Sequence, residues 1–377
     1  MSATADVIVV GGGLVGLSTA LYAAREGLDV VVMERAWPGR HASGANAGGV
    51  RSLNRHDAEI PLARAALDLW RRLEDLVGDD GGFVASGQVR VAEDDDQART
   101  LRDRVARLHD LGYAHERWIE AGELHDRVGG IGRHCRGAIV VDDDGYADPQ
   151  RTTAAFARAA VRAGVRLLVD TRVGGIGADG ADLVVTTAGG RWTAPRVVNA
   201  AGGWGPCFAA SIGEPVPVRA TALQMLVTSP LGAFVRPVVG SQGRKLSLKQ
   251  LANGRVVIGG AFEGTPDLET GTSRLDHAAL AANARNALAL FPEALRGASI
   301  LRAWAGIEGW ALDHLPIIDR SRTVGGLVHA FGFSGHGFAL APLIGRLVTD
   351  LLLERSSNLP LDPFRIDRFA GGGHAGG

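Results

Sequence analysis

The chain has 377 residues, 46% of them hydrophobic and 21% charged, with 53 glycines and a net charge of −1 at pH 7. This length allows two domains, or one large domain with an insertion. The balanced charge disfavours a nucleic acid or an anionic membrane as the partner. No basic segment precedes an apolar stretch, and no uncharged apolar run approaches about 18 residues. We therefore expect neither a secretory signal nor a membrane span.

The two cysteines, Cys135 and Cys207, bear on the compartment. They lie far apart and outside any metal-ligand spacing, so the sequence predicts neither a disulfide nor a metal site. This usage favours a reduced, cytoplasmic setting. Any contact with a membrane would then be peripheral and made through a partner.

The first predicted element is a strand followed by a glycine turn. The β-branched run of residues 7–10 is typical of a strand buried on both faces of a parallel sheet. Gly11, Gly13 and Gly16 follow it in the spacing G-x-G-x-x-G. The first permits a tight turn, the second lets a phosphate approach the backbone, and the third lets helix and strand pack closely.

A helix and a second strand complete this unit. Residues 14–26 have a helical pattern that Gly27 ends, and residues 30–33 form a second strand that ends in Glu34. The start of the helix offers free N–H groups to a diphosphate. Glu34 stands where an acid accepts from ribose hydroxyls. Strand, helix, strand and acid together predict a dinucleotide site, against the alternative of a purely structural unit.

A second G-x-G-x-x-G, at Gly175, Gly177 and Gly180, predicts no such site. A strand rather than a helix follows it, and Asp179 with Gly180 is typical of a hairpin turn. Without a helix start behind the loop, no phosphate site forms. The sequence therefore predicts a single dinucleotide site.

Further elements follow in order. Residues 40–51 form a small, glycine-rich loop, which lets backbone approach a large cofactor or is an ordinary surface loop. We then expect an amphipathic helix over 57–78, a strand near 83–93, an exposed helix after it, and a helix and strand over 148–169. A hairpin leads to a buried strand at 196–200, whose end at Ala201 and Gly202 can touch a cofactor.

The pattern changes in the second half of the chain. Residues 215–305 show alternating strands of an antiparallel sheet, interrupted by a helix near 274–290. Residues 327–354 return to strand, glycine loop and helix. We therefore predict an α/β fold of two discontinuous domains. A Rossmann-like dinucleotide domain takes 1–78, 146–214 and 306–370, and a substrate domain on a mainly antiparallel sheet takes 79–145 and 215–305, with a flexible tail at 371–377.

These segments together resemble the D-amino acid oxidase superfamily of FAD enzymes over nearly the whole chain. The motifs are "VVGGGLVGLSTA", "ASGANAGGVR", "RVVNAAGGW", "RAWAGIEGWALDHLPIID" and "FGFSGHGFALAPLIGRL". The family includes glycine oxidase and sarcosine oxidase. The run "GGVRSLNRHDAEIPLA" looks closest to the flavin subunits of opine oxidases and hydrogen cyanide synthase.

The resemblance implies FAD lying along the first helix, with Val173 near the adenine and the Gly335–Phe338 loop near the flavin. The absence of a cysteine between residues 302 and 320 implies noncovalent binding. The full set of predicted cofactor residues is Gly11, Gly13, Leu14, Val15, Gly16, Glu34, Arg35, Ser43, Gly44, Asn46, Ala47, Gly48, Gly49, Val173, Ala201, Gly202, Trp204, Gly335, His336, Gly337 and Phe338.

The family's reaction is oxidation of an amine carbon, and a substrate carboxylate needs a clamp. Arg51 is the first candidate, because arginine pairs bidentately with a carboxylate and this position matches the arginine that sarcosine oxidases use. A surface ion pair is the alternative. Arg302 and Lys249 are weaker candidates on strands. His336 is a candidate for a positive charge or donor near the reduced flavin, or for a simple loop cap.

Departures from the family pattern bear on the substrate. Glycine oxidase-like enzymes have arginines where this chain has Glu308 and Gly335, and sarcosine oxidases have a lysine where Ala339 stands. Glycine and sarcosine are therefore poorly supported as substrates. Glu308 is instead suited to a cationic group, such as a substrate amine.

The function predicted is FAD-dependent oxidation of the C–N bond of an amino acid, a D-amino acid or an opine-like N-substituted amino acid. Hydride would pass to flavin N5, and the imine would hydrolyse. One alternative is a flavin-bearing electron-relay subunit that is inactive alone, and a partner subunit with further redox centres or a homo-oligomer stays open. Another is a hydroxylation, which would need a reductant.

Overall fold

The structure is a computed structural model that describes residues 3–180 and 182–369. Its helices are α1 (Leu14–Arg25), α2 (Ala42–Ala45), α3 (Ile60–Trp70), α4 (Leu73–Val77), α5 (Asp95–Asp110), α6 (Ala121–Arg127), α7 (Pro149–Arg162), α8 (Gly205–Ser211), α9 (His277–Leu290) and α10 (Gly337–Leu352). Short 3₁₀ turns lie at Asp57–Glu59, Gly202–Trp204, Asp362–Phe364 and Ile366–Phe369.

The strands, in chain order, are β1 (Ala3–Thr4), β2 (Val7–Val10), β3 (Val30–Met33), β4 (Gly49–Val50), β5 (Gln88–Ala92), β6 (Arg117–Glu120), β7 (Gly137–Val141), β8 (Gly145–Tyr146), β9 (Arg166–Leu168), β10 (Val173–Asp179), β11 (Asp182–Thr187), β12 (Gly190–Ala194), β13 (Arg196–Asn199), β14 (Val218–Thr228), β15 (Val238–Ser241), β16 (Ser247–Gln250), β17 (Val256–Gly259), β18 (Glu263–Asp267), β19 (Thr272–Arg274), β20 (Ile300–Ala311), β21 (Ile317–Arg320) and β22 (Leu327–Phe331).

A six-stranded sheet in the order β21-β22-β13-β2-β3-β9 carries the N-terminal unit. β22, β13, β2, β3 and β9 run parallel, and β21 pairs antiparallel at one edge. Every residue of β2 and β3 is buried, as the β-branched runs predicted. The expected strand, helix and strand at the N-terminus are therefore confirmed.

Both faces of this sheet are covered. Helices α1, α3, α7 and α10 share one apolar core on one face. The other face packs against a four-stranded sheet in the order β1-β12-β11-β10. The second G-x-G-x-x-G begins inside β10, whose Asp179 pairs with Asp182 of β11. The prediction that this motif belongs to a hairpin is confirmed.

The second large sheet has ten strands, with the order β19-β18-β14-β17-β16-β15-β5-β7-β6 and β20 paired along β14. It is antiparallel except between β15 and β5. Helix α9 packs on its apolar face. A Rossmann-like unit beside a mainly antiparallel sheet confirms the predicted α/β class.

Two expectations need comment. A single helix over 57–78 is wrong: it divides into a 3₁₀ turn, α3 and α4, because Arg72 leaves helical geometry with φ −120° and ψ 29°. The domain limits stay a prediction, and β20 runs unbroken across the predicted 305/306 boundary. The predicted tail at 371–377 lies outside the described residues.

Among the helices of residues 3–180 and 182–369, none is both long and apolar enough to cross a bilayer.

Candidate functional site

A long groove runs along the carboxyl edge of the six-stranded sheet, and we call it the dinucleotide groove. Its volume is about 580 Å³. Val10, Glu34 and Ala200, at or just beyond the ends of β2, β3 and β13, all line it. Ligands of open α/β sheets bind at this edge, because strand ends and helix starts leave backbone groups free there.

The glycine turn after β2 shapes the start of the groove. Gly11 has a φ of +111°, and a Cβ there would lie 2.4 Å from the carbonyl oxygen of Ala200. A Cβ on Gly16 would lie 2.0 Å from the carbonyl oxygen of Gly11, so only glycine lets α1 pack this close. Gly13 is the N-cap of α1 and has no side chain with which to cap it. The helix start is therefore suited to a phosphate.

Glu34 holds the glycine turn in place through hydrogen bonds to backbone amides. Its Oε2 accepts from the Gly12 amide at 2.8 Å and its Oε1 from the Ala36 amide at 2.9 Å. Burial raises the pKa of this carboxyl, and the two amide hydrogen bonds only partly offset the rise. Each oxygen keeps a lone pair. Glu34 can therefore hold the glycine turn and still accept from a ribose hydroxyl.

Aromatic and cationic side chains line the middle of the groove. The Arg35 guanidinium lies 4.7 Å from the centre of the Trp204 ring, and it donates to the carbonyl of Leu268 at 3.0 Å. His41 packs against Trp204 at 5.0 Å between ring centroids. Its Nε2 is buried and has no hydrogen-bond partner among the described residues. An orphaned polar atom in a groove wall indicates a place for a ligand's polar group.

The far end of the groove lies at α10. Gly335, Gly337 and Phe338 line it, and Gly335 has a φ of +81°. His336 is the N-cap residue of α10, but its ring is hydrogen-bonded to other side chains and makes no capping bond in the described structure. The first turn of α10 therefore directs a second set of N–H groups at the groove, favourable for negative charge.

A second cavity, of about 590 Å³, opens beside this far end, and we call it the charged cavity. Its basic lining residues are Arg51, Arg55, Arg90, Arg244 and Lys245, with His314 and His336. Of its described lining residues, Glu308 is the one carboxylic acid. Four lining residues other than glycine have left-handed φ: Asn54 at 54°, Ala261 at 61°, His314 at 63° and Ser334 at 51°. Such strain concentrates at functional sites.

Arg51 is half-buried in the wall of the charged cavity. Its Nη1 donates to the carbonyls of Leu53 at 2.6 Å and Asn54 at 3.4 Å, and its Nη2 lies 3.2 Å from Nε2 of His336. Burial, and then the charge of Arg55, lower its pKa to about 9, so it stays protonated at neutral pH. Three of its five N–H groups are engaged by described residues. Nε–H and one Nη2–H remain for a carboxylate.

His336 orients Arg51 and is itself held by Glu59. Its Nδ1 lies 3.0 Å from Oε1 of Glu59, a residue with no exposed surface. Because Arg51 can only donate, Nε2 of His336 must carry a lone pair, and the proton is then on Nδ1. Burial, followed by the charge of Arg55, lowers the pKa of this imidazole to about 4. The imidazole is therefore uncharged at neutral pH and accepts from Arg51, and a role for His336 beside the reduced flavin stays a prediction.

Glu308 lies at the junction of the two cavities. It is on β20, opposite Thr221 of β14, and it lines both the groove and the charged cavity. Its Oε1 is buried and makes no hydrogen bond to any described residue. Burial, and then the nearby charge of Glu263, raise the pKa of this carboxyl to about 8. A cationic ligand group placed here would bond to the unpartnered oxygen and would stabilise the ionised form of the carboxyl.

The structure brings most of the predicted cofactor residues together. The dinucleotide groove is lined by Gly11, Gly13, Val15, Glu34, Arg35, Ser43, Asn46, Val173, Ala201, Gly202, Trp204, Gly335, Gly337 and Phe338. The charged cavity is lined by Ala47, Gly49 and His336, and it shares Asn46, Gly335 and Phe338 with the groove. Leu14, Gly16, Gly44 and Gly48 are absent from the described linings of both. The Leu14 amide donates to Ser43 Oγ at 2.8 Å and the Gly48 amide to Asn46 Oδ1 at 2.6 Å. A Cβ on any of the three glycines would lie 2.0 to 2.2 Å from a backbone carbonyl oxygen, so these positions allow close packing.

Two of the predicted clamp residues lie elsewhere. Arg302 is exposed near the start of β20, and Lys249 is buried with its Nζ 3.3 Å from the carbonyl of Ala147 and 4.4 Å from the Tyr146 ring centre. Neither is among the described residues that line the two cavities. Burial lowers the pKa of Lys249 to about 8. Neither residue is therefore placed to clamp a carboxylate in these cavities.

Five residues of the site carried no expectation from the sequence, namely Arg55, Arg90, Lys245, Glu59 and His41. Arg90 carried a usable signal, since it alternates with Val89 and Val91, which are both fully buried. Period-two alternation places Arg90 on the opposite face of β5, toward the charged cavity. The other residues stand in no pattern that marks a site.

Fold and site together define the class: an enzyme with a dinucleotide cofactor and a second, charged cavity beside the cofactor groove. Residues 6–351 match the family model DAO, described as FAD dependent oxidoreductase. The chain belongs to this family of FAD-dependent oxidoreductases, which confirms the resemblance seen in its motifs. FAD is its cofactor, and the groove fits it, with a helix start at each end whose N-cap residue makes no side-chain capping bond and an orphaned His41 nitrogen between them.

The chain is similar to several proteins over nearly its whole length. Glycine oxidase from Geobacillus kaustophilus is 28% identical, and the match covers 97% of each chain. Hydrogen cyanide synthase subunit HcnC from Pseudomonas aeruginosa is 26% identical, with 98% of this chain and 97% of that protein covered. The crystal structure of L-proline dehydrogenase from P. horikoshii superposes with a TM-score of 0.90 at 26% identity, covering 98% and 99% of the two chains.

Proposed function

We propose that the protein oxidises the C–N bond of an amino acid or an N-substituted amino acid. FAD, when bound, supplies the acceptor for a hydride from the carbon beside the nitrogen, and the resulting imine hydrolyses in water. Binding of FAD without a covalent bond is part of the proposal. The names of similar proteins concern amino acids, among them glycine oxidase and N-methyl-L-tryptophan oxidase.

One observation carries this proposal: the two cavities share a wall. Five residues line both of them, namely Ala42, Asn46, Glu308, Gly335 and Phe338. A molecule in the charged cavity therefore meets the end of a cofactor that lies in the dinucleotide groove. Contact of this kind is what transfer of a hydride between two bound molecules requires.

Arg51 and Glu308 divide the recognition of the substrate. Arg51 offers Nε–H and Nη2–H to a carboxylate, and its direction is set by His336 and two backbone carbonyls. Glu308 offers an unpartnered carboxyl oxygen to the amine. Holding both groups fixes the orientation of the carbon between them, and a misplacement of about 1 Å can lower a rate about 100-fold.

The test is reduction of the bound flavin by amino acids in the absence of oxygen. The loss of the flavin's yellow colour measures the rate. Arg51→Ala should retain FAD and lose at least about 100-fold in reduction rate, because the carboxylate loses its charged partner. Arg302→Ala is the matched control, since this exposed arginine lies outside both described linings. Equal rates for Arg51→Ala and the unmodified enzyme would remove Arg51 from the site.

Partners and compartment stay predictions. Similar proteins include one named sarcosine oxidase subunit beta, from Rhodobacter capsulatus, at 27% identity. We propose a small amino-acid-like substrate, a cytoplasmic setting, and a partner subunit or a homo-oligomer as open assemblies. Reduction of the flavin by substrate with the purified chain alone would show that no electron-relay partner is needed for that half of the reaction.

A further inference from the structure

The charged cavity holds more positive charge than one carboxylate needs. Arg244 is paired with Glu93, whose oxygens lie 2.7 and 2.8 Å from its Nε. Arg51 and Arg55 are both attracted by two acids, Glu59 and Asp144. Among the described residues, Arg90 and Lys245 of the cavity lining form no ion pair with a carboxylate.

Arg90 is the clearest case. It is half-buried on β5, and its Nε donates to Oε1 of Gln242 at 2.7 Å. Within residues 3–180 and 182–369, it forms no ion pair with a carboxylate. Burial, and then the charge of Arg104, lower its pKa. Arg90 lines the cavity, and its Nη groups make no hydrogen bond to any described residue, so they can bind an anion.

Two buried polar atoms in the same cavity have opposite requirements. Arg55 is 2% exposed, and its Nη1 makes no hydrogen bond in the described part of the chain. Oε1 of Glu308 is likewise without a hydrogen bond among those residues. Nη1 of Arg55 lies 3.9 Å from Oε2 of Glu59, its buried ion-pair partner, whereas Glu308 forms no ion pair with a described cation. Buried polar groups without partners are rare in folded proteins, so a cationic group of the ligand explains the unpartnered oxygen of Glu308.

The volume agrees with a substrate larger than the simplest amino acids. Glycine has five non-hydrogen atoms, and at about 30 Å³ for each water-sized group it would take roughly 150 Å³. The cavity has about 590 Å³.

We propose that the charged cavity binds an amino acid with a second acidic group, which Arg90 holds while Arg51 holds the first. This inference rests on the proposed function and specifies its substrate class. Arg55 adds a donor from below, Lys245 adds an exposed positive charge at the rim, and Glu308 holds the amine between the two acids. The second acid stands either on the nitrogen substituent or on the side chain.

The experiment compares matched substrates with the FAD-loaded enzyme, using anaerobic flavin reduction. N-(carboxymethyl)alanine is paired with N-methylalanine, and glutamate with glutamine, so that each pair differs in the second acid. We expect a lower half-saturating concentration for one diacid than for its partner. The pair that shows the preference reports whether the acid belongs on nitrogen or on the side chain.

Arg90→Gln should raise the half-saturating concentration of the preferred diacid about 10- to 100-fold, the usual effect of losing a hydrogen bond to a charged group. It should leave the matched monoacid unchanged. Arg302→Gln, on the same sheet but outside both described linings, should change neither. Equal weakening of diacid and monoacid by Arg90→Gln would overturn the inference.

A binding measurement separates this inference from the proposed function. The unreactive analogues 2-oxoglutarate and 2-oxobutyrate should perturb the spectrum of the bound flavin. The diacid 2-oxoglutarate should bind more tightly than the monoacid 2-oxobutyrate, and Arg90→Gln should remove this difference. Reduction by monoacids and diacids at equal concentrations would refute only the second-acid site. If no amino acid reduces the flavin and neither analogue distinguishes Arg90→Gln, both proposals fail.

Discussion

Replacing Glu308 with glutamine should stabilise the protein, and more so as the pH rises. Burial and Glu263 raise the pKa of Glu308 from 4.5 to about 8. A carboxyl whose pKa is higher in the folded state contributes no penalty below pH 4.5, where it is protonated in both states. Between pH 4.5 and 8 the unfolded chain loses the proton first, so the folded state is progressively disfavoured.

The size of the effect follows from the same values. Each tenfold change in acidity corresponds to about 1.4 kcal/mol. The penalty for Glu308 is therefore about 1 kcal/mol at pH 5 and about 4 kcal/mol at pH 8. Glutamine has nearly the same shape and no charge, so Glu308→Gln should recover most of this difference.

Thermal unfolding measures the stabilisation by Glu308→Gln. The FAD concentration is held fixed, because bound cofactor adds its own stabilisation. For a chain of this length, 1 kcal/mol corresponds to roughly 2 °C or less. We expect a gain in melting temperature of several degrees at pH 8 and little at pH 5. Glu293→Gln, at a surface glutamate that is 73% exposed, is the control and should show no such trend. An equal gain at both pH values would refute the buried-carboxyl argument.

Two further substitutions test the supports of the site. Gly16→Ala should abolish stable FAD binding, because its Cβ would lie 2.0 Å from the Gly11 carbonyl oxygen. Gly122→Ala, in α6, meets no described atom within 4 Å and should keep FAD, so similar flavin content in the two purified variants would contradict the packing argument. Glu59→Gln should lower the free energy of unfolding by about 3 kcal/mol, since buried Arg55 loses its carboxylate partner. An unchanged urea midpoint would show that this pair contributes nothing.

The sequence determined the nucleotide-binding half of the molecule. The turn at Gly11, Gly13 and Gly16 could be read directly, because its requirements are local: a positive φ, room for a phosphate and close packing of helix on strand. The same local requirements exclude a phosphate site at the motif that begins at Gly175, because a strand and not a helix follows it. The antiparallel sheet could also be predicted, because the alternation of apolar and polar residues is a property of each strand by itself.

Only the tertiary structure decided which charged groups meet. His336 and Arg51 are 285 residues apart in the chain, yet 3.2 Å separates their nitrogens. The sequence had no means of placing Arg302 outside the site and Arg90 within it, because both stand on strands. Nor does it show that His336 is neutral and Glu308 costly to ionise. Those properties arise from burial and from neighbours that distant segments bring together, and neither is encoded by local pattern.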